Sequence, residues 1–559
     1  MSGANGSEAD VGGYQGRRPL NGQHGRVGRE VSRREFLKWG VAIGGGAALT
    51  PLANACRFGR SQPTGVATAT PPQAPRRGGV LRVGLIGGSP STDTLDPSGE
   101  GSAELQQSFK RNVYSRLTDM APDGSFQGQL AESMEPNATS DEWVVRLRRG
   151  VEFHDGKTLT ADDVIYSLRR ILDPANGLES ARPAIEMIDP GGLEKIDEVT
   201  LRIRLLRPWS DLPAAVGQRW INIIKEGTRP PFTVENTIGT GPFKLTGWRP
   251  GREYTYEAFN NYFEQGKPYL DGMVILGIPD PVARVNALVS GEVDAICDVP
   301  PAQIPVIEGA GLKVFVEKAG SWIPIYMNTQ AGPFRDVRVR QAFKHLIDRE
   351  QSLESGASGY GELANDIFGR WDPLYASDLP QRTFDPERAR SLLADAGYLA
   401  YEFTLYASDA VSDMLPLALV LQQGAKQAGI KVDIRKVPAD SYWSDVYGKQ
   451  PFAFSSWGYR PLLAQWVQSF RVWNKEETNW TDPSAQRAND LIRQVAATVD
   501  ENRRKELAHQ AQEILWQEGG YIIPYFKSPV DALSPSVRGL VPHPFPFLGW
   551  YQFWDVWLD

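Results

Sequence analysis

The sequence predicts an α/β protein with more than one lobe, and three observations carry that expectation. At two places a helical apolar pattern ends at a glycine and passes into a short strand pattern, and at a third a strand pair feeds an amphipathic helix. The chain has 559 residues, more than a single hydrophobic core organises, so two or three lobes are expected. Hydrophobic residues at 41% and charged residues at 23% are the balance of an ordinary soluble globular protein.

The first segment is a targeting pattern. Ser32-Arg33-Arg34-Glu35-Phe36-Leu37-Lys38 resembles the bacterial twin-arginine export motif, and an apolar run at 39–52 follows, diluted by Gly40, Gly44, Gly45 and Gly46. A spanning helix needs about 20 apolar residues, so this run is no stable membrane anchor. Ala53-Asn54-Ala55 has the form of a cleavage site, and Cys56 follows where a bacterial lipoprotein accepts its lipid. Ala53 stands where the lipobox normally has leucine, so lipidation of Cys56 and simple cleavage both stay open. Residues 57–77 hold four prolines among Thr, Ala, Gly and Ser, the composition of an extended linker that spans at most about 70 Å. Residues 1–56 and 57–77 are therefore read as signal and leash.

Charge and cysteine usage narrow the function. The net charge is -7, and residues 1–56 hold seven basic and four acidic side chains, which leaves the remainder near -10. A nucleic-acid partner would want a basic face, so none is expected. With Cys56 used or removed, Cys297 has no intramolecular partner and no disulfide framework exists.

The globular elements then follow in order. In "EWVVRLRRGVEFHDGKTLT" the residues Trp143, Val145 and Leu147 alternate with polar or outward neighbours, and Asp155-Gly156 supplies a tight turn, so an antiparallel hairpin is expected. Thr160 and Asp163 form a capping pattern ahead of Val164, Ile165, Leu168 and Leu172 at helical spacing. "DPVARVNALVSGEVDAICDV" reads as helix, Gly291 stop and strand, and "MLPLALVLQQGAKQAGIKVDIRKV" as helix, Gly429 stop and a strand carrying Ile430, Val432 and Ile434. Such units predict a mostly parallel sheet. Asp336, Asp385-Pro386 and Asp482-Pro483 each open a further helix, the second ending at Gly397.

Catalytic and cofactor motifs are not found in the sequence. Gly156-Lys157-Thr158 lacks the earlier glycine of a phosphate loop, Val151 standing there, and "GTGPFKLTG" puts Pro242 and Phe243 where a dinucleotide fingerprint opens its helix. His24, His154, His345, His509 and His543 are scattered singly, so no metal site and no cofactor is expected.

Six blocks carry a family resemblance: "STDTLDP", the long block from Leu130 ending "SLRRILDP", "GTGPFKL", "NNYFEQGKPYLDGM", "YMNTQAGPFRDVRVRQAFKHLIDRE" and "FDPERARSLLADAGY". In order along the chain they resemble the family 5 extracellular solute-binding proteins of ABC importers, which serve uptake of peptides, nickel and related solutes. The resemblance implies a type II periplasmic-binding-protein fold. One lobe would comprise 78–322 plus 521–559, with an inserted subdomain at about 109–238, and the other 323–520. Two strands near "WIPIYMN" and "YIIPYF" would form the hinge. It further implies a monomeric receptor without enzymatic activity, held outside the cytoplasmic membrane. Its partners would be the twin-arginine translocase during export, the ABC permease subunits in the membrane, and a peptide or other small solute between closing lobes.

For the site, the resemblance points to the segment "SSWGYRPLLAQW" and to Trp322, Asp93 and Thr94. Peptide-binding relatives carry an aspartate after the Trp-Gly pair, for the ligand's ammonium. Here Tyr459-Arg460-Pro461 follows Trp457-Gly458, and the segment is read as offering no acid to the site before Asp482. Arg460 suits a carboxylate or phosphate, while Trp457 and Tyr459 offer stacking faces. A peptide or peptide-like solute held through backbone and carboxylate is the expected ligand, and an anionic, opine-like or glycosidic small molecule is the alternative. The 16 tryptophans and 19 tyrosines would also suit a carbohydrate-active hydrolase, marked by two carboxyl groups about 5 to 9.5 Å apart across the cleft. A cleft filled by the protein's own side chains would instead mark a scaffold.

Overall fold

The computed structural model describes residues 74–99, 104–318, 320–470 and 477–559, all within the unit Gln73–Asp559. Arg33, Arg34, Cys56 and residues 57–73 of the leash lie outside the described residues.

A seven-stranded sheet is built around Val80–Leu85, which pairs in parallel with Gly272–Gly277 on one side and Ala295–Ile296 on the other. Outward from these, every pairing is antiparallel: Glu253–Ala258 and Phe243–Arg249 at one edge, Val530–Leu533 and Lys313–Val316 at the other. The expected mostly parallel sheet is thus corrected to a mixed one. The reason lies in the connections: helix Pro281–Val289 carries the chain from Gly272–Gly277 to Ala295–Ile296 and keeps their direction, a short turn reverses Phe243–Arg249 into Glu253–Ala258, and Val530–Leu533 returns from far along the chain to run antiparallel between Ala295–Ile296 and Lys313–Val316. The same rule operates in the five-stranded sheet. There helix Met414–Gln427 links the parallel pair Glu402–Ser408 and Lys431–Val437, Phe452–Phe454 joins Glu402–Ser408 in parallel, and Ile325–Met327 runs antiparallel between Phe452–Phe454 and Tyr521–Ile522.

A third sheet of four antiparallel strands corrects the hairpin expectation. Glu142–Leu147 pairs with Ala131–Pro136 and Thr200–Leu205, not with the residues after Asp155-Gly156. The turn itself is present, with Phe153 N–H donating to the Lys157 carbonyl at 2.8 Å, but it closes only the bridge between Glu152 and Thr158. Strand alternation identified the element and could not choose its partner. Helix Ala161–Leu172 follows as predicted, and the Thr160 N–H donates to the Asp163 carboxylate at 2.9 Å. Asp336, Asp385 and Asp482 cap their helices through backbone N–H groups of Arg338, Arg388 and Ser484.

The two glycines of "GTGPFKL" have a steric cause. A side chain on Gly239 would lie 1.9 Å from the Val113 carbonyl oxygen, and one on Gly241 would lie 2.5 Å from that of Asn112, so this loop presses on the end of helix Glu104–Val113.

Two chain segments cross between the sheets side by side. Ser321–Trp322 pairs with Tyr525–Lys527 in a three-stranded sheet, and after Pro324 and before Pro524 the same segments pair again as Ile325–Met327 and Tyr521–Ile522 in the five-stranded sheet. Each proline lacks the N–H a continuous ladder would use, so each crossing segment changes sheet there.

Where the tail returns, Glu317 and Asp531 are buried together. The Glu317 carboxylate accepts from the His543 N–H at 2.7 Å and from Gly549, and Asp531 accepts from Asp298 at 2.9 Å and from Leu548. Burial pushes both carboxyls up, Asp531 to about 7; the Asp531 charge raises Glu317 further, whereas the Glu317 hydrogen bond pulls Asp531 part of the way back. The folded state therefore holds protons that the unfolded chain releases above about pH 4. Stability from this pair is full below that pH and falls as pH rises to about 7, with a slope approaching about 1.4 kcal/mol per pH unit for one proton. Calorimetric melting between pH 4.5 and 7.5 should show this decline, and Glu317→Gln should flatten it; an unchanged slope would count against a shared proton.

Candidate functional site

Strand Phe452–Phe454 delivers the chain to Trp457, whose N–H donates to the Trp322 carbonyl at 3.0 Å while its carbonyl accepts from Trp322 at 2.9 Å. This two-way bridge fixes the segment against the crossing strands. The two indoles stack with centroids 6.1 Å apart and planes at 19°, and Trp322 continues the stack onto Phe368 at 5.6 Å. Trp322 is 1% exposed, so its own faces are taken by protein; Trp457 is partly exposed and is the end of the stack a solute can reach.

Arg460 lies beside that end. Its guanidinium is 5.1 Å from the Trp457 ring centroid, and Nη1 donates to the Gly458 carbonyl at 3.3 Å. Among the described residues no carboxylate pairs with it. Desolvation first, then the charge of Arg219, lowers its pKa to about 10. Arg460 lines a small cavity of about 70 Å³, shared with Trp209, Asp211, Trp220, Ala464 and Val467.

Tyr459 points the other way. It is 3% exposed, meets Phe545 edge-on at 5.3 Å, and its hydroxyl has no hydrogen-bond partner among the described residues. The chain alternates here, so neighbours Tyr459 and Arg460 serve opposite sides. Asp93 and Thr94 are also placed elsewhere: the Asp93 carboxylate accepts from the Gly251 N–H and is raised by burial, and Thr94 Oγ1 accepts from the Asp96 N–H at 3.0 Å. No hydrogen bond or ring contact among the described residues joins them to Trp322, Trp457, Tyr459 or Arg460.

Two residues of the neighbourhood were missed by sequence reasoning. Glu476 and Glu477 precede Asp482, which corrects the expectation of an acid-free segment. Glu477 is 3% exposed, accepts from the Ser455 hydroxyl at 2.6 Å and the Tyr447 hydroxyl at 2.7 Å, and takes a longer 3.4 Å contact from the Trp457 indole N–H. Burial raises its carboxyl, and those hydroxyls pull it part of the way back. It orients Trp457 from behind and is not open to a solute. The second is Arg219, whose guanidinium lies 4.2 Å over the Trp220 ring. Neither had a spacing signal, because each reaches the site from a different part of the chain.

Two acids nearby are held by the protein itself. Asp211 pairs with Arg504 at 3.4 Å, and Asp372, raised to about 6 by burial and by the Asp211 charge, accepts from the Leu462 N–H at 2.7 Å. Among the described residues no three His, Cys, Asp or Glu side chains gather as a metal site.

Comparison with known proteins gives the family of the chain. Residues 125–472 match the profile described as bacterial extracellular solute-binding proteins, family 5 Middle. The chain is 26% identical over 461 residues to the glutathione-binding protein GsiB of Escherichia coli (strain K12), covering 80% of this chain and 89% of that protein. Among solved structures it is similar to the PBP AgaA in complex with agropinic acid from A. tumefacien R10, with TM-score 0.67, 26% identity, and coverage of 86% of this chain and 99% of that one. The ABC transporter substrate-binding protein CtaP from Listeria monocytogenes matches at TM-score 0.75 and 21% identity, covering 86% of this chain and all, 100%, of that one, a likeness of fold.

Proposed function

The chain belongs to the bacterial extracellular solute-binding proteins of family 5, and from that premise we propose that it captures a peptide or peptide-like solute beside Trp457 and holds the solute's carboxylate on Arg460. Its fold is that of the type II periplasmic binding proteins, and its role is that of a solute-binding receptor for an ABC importer. Members of this family bind and deliver solutes.

One observation carries the carboxylate reading: a guanidinium seated on an indole, at the wall of an open cavity, with no carboxylate partner among the described residues. A planar cation with a fixed fork of donors matches a carboxylate in two-point geometry, and in a desolvated cleft it rewards an anion and rejects an ammonium. The same observation favours an anionic small molecule as a second reading. Titration calorimetry with a tripeptide, its N-acetyl form and its C-terminal amide tests this: acetylation should leave binding within about threefold, and amidation should weaken it by at least tenfold. Loss on acetylation would sink the carboxylate reading.

Closure follows from the same contacts. A solute that touches both sides of the cleft binds the closed form more tightly than the open one, and only that difference drives closure. The lobes are 78–322 with 521–559, including the insert at 109–238, and 323–520, hinged at the paired crossings. Closure would present a joint surface to the permease. The receptor acts as a monomer outside the cytoplasmic membrane, sent by the twin-arginine pair and tethered through Cys56. No helix among the described residues is long and apolar enough to cross a membrane. Changing Arg33 and Arg34 to lysine should leave precursor in the cytoplasm, and Cys56→Ala should move the mature protein from the membrane to the soluble fraction on fractionation; equal membrane association would remove the lipid anchor.

A further inference from the structure

Helix Pro483–Ala497 ends on carbonyls that its own turns leave without partners, and two of them are met by a residue far back in the chain. The Ser210 N–H donates to the Ala496 carbonyl at 2.5 Å, and the Ser210 hydroxyl donates to the Val495 carbonyl at 3.0 Å. Next along the chain, Asp211 accepts from Arg504 Nη2 at 3.4 Å, on the following helix Glu501–Glu518. A carboxylate beside the negative end of a helix is repelled, so the Arg504 charge is what lets Asp211 sit there. One residue before Ser210, the Trp209 N–H donates to the Ser140 carbonyl at 2.8 Å and anchors the segment on its own side. Residues 207–211 are thus a strap, tied to the insert through Trp209 and to the opposite helices through Ser210 and Asp211.

The strap also builds the space beside it. A cavity of about 510 Å³ has Arg207, Pro208 and Trp209 on one side, and on the other only residues within 466–470 and 489–497, among them Trp466, Phe470 and Ile492. Trp209 lines the cavity of about 70 Å³ at Arg460 as well. Ligand sites run to roughly 300–1,000 Å³, so the larger space is of that size and the smaller one is below it. With the strap lifted, the larger cavity loses one whole wall.

We propose that residues 207–211 are a latch that docks on helices Pro483–Ala497 and Glu501–Glu518 when the lobes close, and that its bonds set how long a solute stays. This rests on the reading of two lobes that close on a hinge. Bonds made only in the closed form stabilise it over the open form without touching the solute, and so raise the fraction of the protein able to hold one. Entry takes place through the open form, in which the strap is unbonded. Losing the latch should therefore speed release without slowing association. In the open form water takes over the carbonyls of Val495 and Ala496, so each bond is modest in net terms and the latch is reversible.

Hydrogen exchange read by mass spectrometry on the solute-free mature chain tests the latch without any ligand. Arg504→Gln and Ser210→Ala should each raise exchange in residues 207–211 at least fivefold, while Arg503→Gln, which loses only its pair with Glu506 on the same helix, should not. Both latch variants should also show a larger radius of gyration by small-angle scattering, and should release a bound tripeptide at least fivefold faster in stopped flow with no slower association. Unchanged exchange in both variants would overturn the latch and leave lobe closure standing. Faster exchange at the wild-type radius would show the strap moving while no lobe opens, which overturns the latch together with the two-lobe reading. If Arg504→Gln loosens helix Glu501–Glu518 itself, Ser210→Ala, which leaves that helix intact, decides the matter. A tripeptide that fails to bind wild type would sink the peptide reading, and exchange and radius would still decide the latch.

Discussion

Replacing Asp366 by alanine should destabilise the receptor by about 3–5 kcal/mol, the loss seen when one partner of a buried ion cluster is removed. Asp366 has no exposed surface and accepts from Arg349 at 2.8 Å, from Arg382 at 3.0 Å and from the Ile523 N–H at 3.0 Å. Burial alone would raise its carboxyl; the charges of Arg349, Lys344 and Arg382 overcome that and hold it below the usual range. Removing it leaves three cations packed without an anion. It also frees the N–H of Ile523, which lies in the returning crossing segment, so closure should suffer with stability. Asp366→Asn keeps the volume and tolerates the left-handed backbone at φ 63, and should lose less. Urea unfolding measures both. A loss below about 1 kcal/mol for the alanine variant would mean that the cluster repacks around water. The depressed carboxyl also fixes a sign: this stabilisation is present above about pH 4 and disappears as pH falls through the lower folded value.

Trp322→Ala should cost a comparable 3–5 kcal/mol, because a fully buried indole leaves a cavity that its neighbours cannot close. Phe368 and Trp457 stack on its two sides and Tyr521 meets it edge-on at 5.7 Å. These contacts join the crossing segments to the wall of the cavity. Solute affinity should therefore fall although Trp322 is closed to the solute, since Trp457 and with it Arg460 lose their support. Trp322→Phe keeps a ring in the stack and should retain most of the affinity. Denaturant titration together with calorimetry on one tripeptide separates the two effects, and unchanged affinity in Trp322→Ala would show that Glu477 alone holds Trp457 in place.

Elements were legible where the signal is local. The aspartates that start helices, the glycines that end them, and the alternation of Trp143, Val145 and Leu147 each depend on residues within a turn or two, so they survive without knowledge of the rest. Pairing was not legible in the same way. The strand Glu142–Leu147 could in principle have folded back through Asp155-Gly156, and only the competing partner Thr200–Leu205, far along the chain, decided against it.

The site divides along the same line. The sequence by itself put Arg460 three residues after Trp457, whose Trp-Gly pair matches the family while Arg460 departs from it, and it determined the class of protein through blocks spread along the chain. The tertiary structure alone decided that Trp322 and Tyr459 are packed away, that Asp93 is held on Gly251, that Glu477 stands behind Trp457, and that Trp220, carrying Arg219 over its ring, lines the same cavity as Arg460. The physical reason is range: capping, turn formation and alternation are fixed by backbone geometry over a few residues, whereas burial and charge pairing depend on which distant surfaces meet, and on how much water they exclude when they do.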